Sequence, residues 1–184
     1  MVRMADLQKA YAKAGAREVR TFIQSGNVVF AAEEAEVEAV GAKVGAWLKK
    51  QLGREPVVMY RTAEEMTRLV QAEPFKPFEG EAGATAAKWY VVFLAERPKI
   101  KLKLPLVLEK EGLEVIALKG RELCVISREK KDGYFGFPNA WAEKGLGVAA
   151  TSRNWNTVVK MAELAEAGQG KQGGLDLGPG KMMA

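Results

Sequence analysis

The chain has 184 residues, 48% of them hydrophobic, and 28 Lys and Arg against 23 Asp and Glu give it a net charge of +5. A pI near 9.3 suits an anionic partner without requiring one. The absence of His and the single Cys exclude a Ser-His-Asp or Cys-His catalytic arrangement, a zinc site built on His or on a Cys cluster, and an intrachain disulfide.

In chain order, Met4, Leu7, Ala10, Tyr11 and Ala14 fall on one helical face, and Gly15 supplies the stop. RTFIQ and VVF flank Ser25-Gly26-Asn27 and predict a hairpin. Residues 33–52 predict a helix striped by Val37, Val40, Val44, Trp47, Leu48 and Leu52 and ended by Gly53. PVVMY predicts a strand, and Thr62-Ala63-Glu64-Glu65 is a capping box opening the next helix. Residues 74–87, rich in Pro, Gly and Ala, predict a linker. WYVVFL is apolar on both faces, as a central strand requires. Lys99 to Leu104 alternates with period two, yet the order of elements asks for a crossover helix between Pro98 and residue 110; a short, distorted helix is the expectation. LEVIAL and ELCVIS flank Lys119-Gly120 as a second hairpin, residues 139–146 form a short helix, GVAATS a strand, and residues 155–167 a last helix. The segment 168–184 carries six glycines and is expected to be disordered.

This order predicts an α+β chain of two ferredoxin-like (βαββαβ-type) halves, residues 1–73 and 88–167, the first lacking its opening strand. In such a unit the opening strand lies between two inner strands. Its slot must then be filled by another chain, by a shifted segment, or by residues lost upstream of a clipped start. The opening MVRMADLQKAYAK has no signal-type apolar run, and no stretch reaches 18 apolar residues, so a cytoplasmic protein without a membrane span is expected.

RTFIQSGNVVF and ATSRNWNTVVKMAEL resemble the two signature stretches of the bacterial domain of unknown function 1697 family. The resemblance spans residues 2–166. It implies a cytoplasmic protein of paired ferredoxin-like halves and brings no mechanism. Members of that family usually begin with a strand and a loop similar to YIALLRGINVGG, which this chain does not show. A Ser-Lys-Leu-type stretch before Asn139 is replaced by Gly136-Phe137-Pro138.

Other motifs yield to plainer readings. Gly168-Gln169-Gly170-Lys171-Gln172-Gly173 matches the dinucleotide fingerprint but follows a helix and precedes none. Gly145 and Gly147 read as a helix stop and a turn. The aromatic run Tyr134, Phe135 and Phe137 reads as a loop over a sheet end, and Lys99, Lys101 and Lys103 as charges blunting an edge. Cys124 reads as a buried filler. Lys88, Glu143 and Tyr134 are conceivable acid–base groups, but no spacing selects them, so no catalytic residue, cofactor or metal is assigned.

The polar residues of the two signature stretches remain: Arg20, Gln24 and Asn27 at the first hairpin, and Arg153, Asn154 and Asn156 at the start of the last helix. A helix N-terminus can hold an anion. These six are the candidate ligand-binding residues, set as opposite walls of an anion-binding cleft between the halves. The expected function is a non-catalytic binding module for an anionic ligand or nucleic acid. The alternatives are an enzyme acting on a small phosphorylated or carboxylated metabolite, and an interaction protein that pairs through its incomplete sheet with a second copy or a complementing strand.

Overall fold

A computed structural model describes residues 2–22, 26–54, 56–83, 87–169 and 181–183. It is a mixed α+β chain built on two antiparallel sheets. Two compact units share it: Met1–Arg68 with Val159–Ala184, and Leu69–Val158.

In the first unit, α1 (Met4–Ala14) leads into β1 (Arg17–Phe22) and β2 (Asn27–Ala31), then α2 (Val37–Leu52) and β3 (Tyr60–Thr62). The helix stripes decide the packing. Leu7, Tyr11 and Ala14 of α1 and Val37, Val40, Val44 and Leu48 of α2 bury against Val28 and Phe30 of β2. Trp47 is only partly buried at the margin of this core, and Leu52 is 37% exposed. Gly15 and Gly53 end the helices in the left-handed region, φ 111° and 69°, as their predicted stop role requires. Of the predicted strand PVVMY only Tyr60 lies in β3. The capping box forms as expected: Glu65 N–H donates to Thr62 Oγ1 at 3.0 Å, and Thr62 N–H to Glu65 Oε2 at 2.7 Å. It opens α3 (Ala63–Gln71).

The first sheet does not end with an empty slot. A strand from the far end of the chain, β9 (Lys181–Met183), lies between β2 and β3 and runs antiparallel to both, giving the order β1-β2-β9-β3. A segment from elsewhere in the chain thus pairs with both β2 and β3. This corrects the expectation of a disordered tail for 168–184: Gly168 and Gln169 end a helix and Lys181–Met183 form the strand, while 170–180 lie outside the described residues. The physical reason is backbone accounting. An unpaired buried N–H or C=O costs about 1–3 kcal/mol, so two facing strand edges recruit a strand.

The second unit holds β4 (Ala87–Leu94), β5 (Leu106–Leu108), β6 (Leu113–Lys119), β7 (Glu122–Arg128), α4 (Pro138–Leu146) and β8 (Ala150–Asn154), in the sheet order β5-β6-β7-β4-β8. Val91 to Leu94 of the central β4 are fully buried. α5 (Trp155–Gln169) follows β8 directly and buries Val158, Met161, Ala162 and Ala165.

Two expectations fail here. No helix forms between residues 98 and 110. Residues 95–105 are irregular and Leu106–Leu108 is an edge strand. The period-two signal outweighs the crossover expectation: Leu102, Leu104, Leu106 and Leu108 pack against the core of this unit, while Lys99, Lys101 and Lys103 stay exposed. Prolines at 98 and 105 leave too little room for a helix. The stretch 74–87 is also more than a linker. Phe75 is 1% exposed, stacked parallel on Trp89 at 5.4 Å and edge-on to Trp155 at 5.1 Å.

Candidate functional site

The predicted ligand residues are largely committed to the protein itself. Arg20 sits in β1 beside a bulge whose residue Glu18 has φ 48°, and its guanidinium lies 3.6 Å from the Glu18 carboxylate. Asn27 is fully buried and donates from Nδ2 to Phe22 O at 3.3 Å, closing the hairpin. Gln24 lies outside the described residues. In the other unit, Arg153 belongs to strand β8 and not to a helix start. Its Nη1 donates to Thr151 Oγ1 at 2.6 Å and to Ser152 O at 2.9 Å, and burial pulls its pKa down. Asn154 Oδ1 accepts from Asn156 N–H at 3.0 Å, an ordinary cap on α5. Trp155 packs against Phe75 as a half-buried anchor.

The conceivable acid–base groups are equally occupied or dispersed. Lys88 Nζ rests 4.0 Å above the Phe135 ring. Glu143 Oε1 accepts from Ala150 N–H at 3.3 Å, and Tyr134 is 73% exposed. Asn139 and Ser152 hydrogen-bond to each other.

Cys124 is 2% exposed in β7, and burial pushes its thiol up to about 12. A thiol raised this far holds its proton at neutral pH and is no nucleophile. Its contribution to stability is complete below the unfolded thiol's value and is lost as pH climbs from about 8.5 to about 12. We expect the native protein to leave a disulfide reagent unreacted at pH 8 and to react with one equivalent on unfolding in urea. Stability should fall between pH 9 and pH 11 less steeply in Cys124→Ala than in the parent. Fast labelling of the native chain would contradict this.

One surface collects three lysines. α1 and α2 pack side by side, and their outer faces form a groove of about 560 Å³. Lys9 and Lys13, one turn apart on α1, face Lys43, Trp47 and Gln51 of α2. Asp6 at the rim is held by Arg3 at 2.7 and 3.2 Å, so its charge is already met. Lys43 Nζ lies 3.4 Å from Ala14 O, near the negative end of α1. A groove of about 640 Å³ in the second unit differs in kind: Glu109, Lys110, Glu114, Arg128, Glu129 and Lys130 mix both signs, and Arg128 pairs with Glu114 at 2.8 Å.

The family described as a protein of unknown function, DUF1697, matches residues 1–123, two thirds of the chain. The chain belongs to that family. The DUF1697 match includes RTFIQSGNVVF, the hairpin of β1 and β2, and both helices of the lysine groove. No curated protein and no solved structure matches the chain. Among the described residues no helix is long and apolar enough to cross a membrane.

The groove residues were within reach of the sequence but not its assembly. Lys9 and Lys13 stand at i and i+4, and Lys43, Trp47 and Gln51 at i, i+4 and i+8. Each set marks one helix face. That the two faces adjoin is a tertiary fact.

Proposed function

We propose that this DUF1697 protein is a non-catalytic binding module for a ligand that joins phosphate to an aromatic base. The observation that carries it is the groove between α1 and α2, where Lys9, Lys13 and Lys43 line the same walls as the half-buried indole of Trp47. Ammonium groups meet phosphates as point charges, and an indole face offers a base a stacking surface worth about 1–3 kcal/mol. The scattered, occupied state of Lys88, Glu143, Tyr134 and Cys124 speaks against the enzyme reading. Arg20, Arg153 and their neighbours serve the fold in this reading. The strand orders support paired ferredoxin-like halves, with an added edge strand and no crossover helix in the second. A cytoplasmic setting is part of the same proposal.

The test is binding of a mixed-sequence single-stranded oligonucleotide and, separately, of ADP. Three phosphate contacts should give a log K against log salt slope of about −2, near 0.7 per contact. The double variant Lys9→Glu/Lys13→Glu should weaken binding at least tenfold and flatten that slope, with an unchanged melting temperature. Oligonucleotide binding without ADP binding indicates a strand ligand; the reverse indicates a free nucleotide. Equal binding by parent and double variant, or none by either, overturns the proposal.

A further inference from the structure

We propose that the slot between β2 and β3 is a strand-acceptor site, held by the chain's own C-terminal strand β9 and open to exchange with a free strand of the same kind. β9 is a central strand of only three residues, reached through residues 170–180. It pairs with Val28, Val29 and Phe30, three of the five residues of β2, and with all three of β3. Both slot walls present backbone groups beside buried side chains: Val28 is 0%, Phe30 2% and Arg61 1% exposed. Main-chain ladders on two sides bind any extended segment, and the side chains in register set the preference.

The register says which wall residues each position of an occupant pairs with. Met183 is in register with Val28 and Tyr60, and Met182 with Val29 and Arg61. Lys181 is in register with Phe30 and Thr62. Phe30 is a core residue of the first unit, and an apolar residue is the favoured cross-strand partner for it. A strand of only three residues is a weak occupant of a site with a ladder on either side. Such a strand leaves and returns locally, without unfolding the sheet around it.

Full-length chains carrying Met182→Gly or Met182→Pro test this. Glycine weakens a strand, and proline removes a ladder donor from a position where strands do not accept it. Hydrogen exchange in β2 and β3 should speed up about tenfold in Met182→Gly and more in Met182→Pro, with β4, β7 and β8 unaffected. The added peptide GPGKMMA, residues 178–184, should restore protection, and the same peptide with the Lys181→Ile change should do so at lower concentration. Unchanged exchange in both variants, or lost protection that neither peptide restores, overturns the proposal.

Discussion

Phe75→Ala is expected to lower the unfolding free energy by about 3–5 kcal/mol. The ring is 1% exposed and lies between two indoles, parallel to Trp89 and edge-on to Trp155. Removing it deletes both aromatic pairs, each worth about 0.5–1.5 kcal/mol beyond area burial, and leaves a void that the stiff indoles close poorly. The effect should appear as a lower urea midpoint at unchanged slope. It carries its own optical signature, because Trp89 and Trp155 both lose a ring from their surroundings and their emission should shift to the red. Phe75→Leu should lose about half as much. A loss under about 1 kcal/mol for Phe75→Ala would mean that the ring is not part of the core.

Gly136→Ala is expected to destabilise by about 3 kcal/mol or more, from the opposite cause. A methyl group on Gly136 would overlap the carbonyl oxygen of Glu111 and lie 2.9 Å from Leu113 Cδ2. The first contact is with backbone, so no rotamer change relieves it. The loop after β7 would have to move away from the turn before β6. That movement strains the Ser127 Oγ–H donation to the Gly136 carbonyl at 2.7 Å, from a hydroxyl in a fully buried residue. It also disturbs the bridge between Glu129 and Phe135 and the edge-on contact of Phe137 with Tyr90 at 5.8 Å. Thermal unfolding and exchange of the 129–137 amides would both report it. A melting temperature within a degree or two of the parent would show that the turn has slack.

What the sequence discloses and what it withholds divide along the range of the interactions. The stripes of α1 and α2, the stops at Gly15 and Gly53, the Thr62–Glu65 box and both hairpins were legible, because each rests on residues within a few turns of one another. The leucines at 102, 104, 106 and 108 were legible too. Their period-two pattern marks one buried side of an extended segment, and it prevails over the crossover helix that the order of elements suggests. Phe75 was not legible, because two phenylalanines three residues apart in a Pro-, Gly- and Ala-rich run have no longer period to declare which of them is buried. Strand β9 lay further out of reach. Its partners are about 120 and 150 positions away, and a three-residue strand after many glycines has the composition of a disordered tail. The candidate site follows the same division: each lysine face could be read, and their meeting could not. The polar hairpin and helix-start residues drew attention by their chemistry, yet Arg20, Asn27 and Arg153 spend it on neighbours.

The placement of β9 bears on how the chain is made. The first unit is assembled from both ends of the sequence, and the second is one uninterrupted stretch inserted between them. A ribosome therefore delivers every strand of the second sheet before it delivers the last strand of the first. For that interval the nascent chain holds α1, α2, β1, β2 and β3 with two inner strand edges bare. Such edges pair readily with other chains. Completion of the first sheet then waits on delivery of β9, and the second unit, complete before β9 is made, is the first able to finish folding. Crowded translation, with several nascent copies close together, is where this protein is most exposed to pairing with the wrong strand.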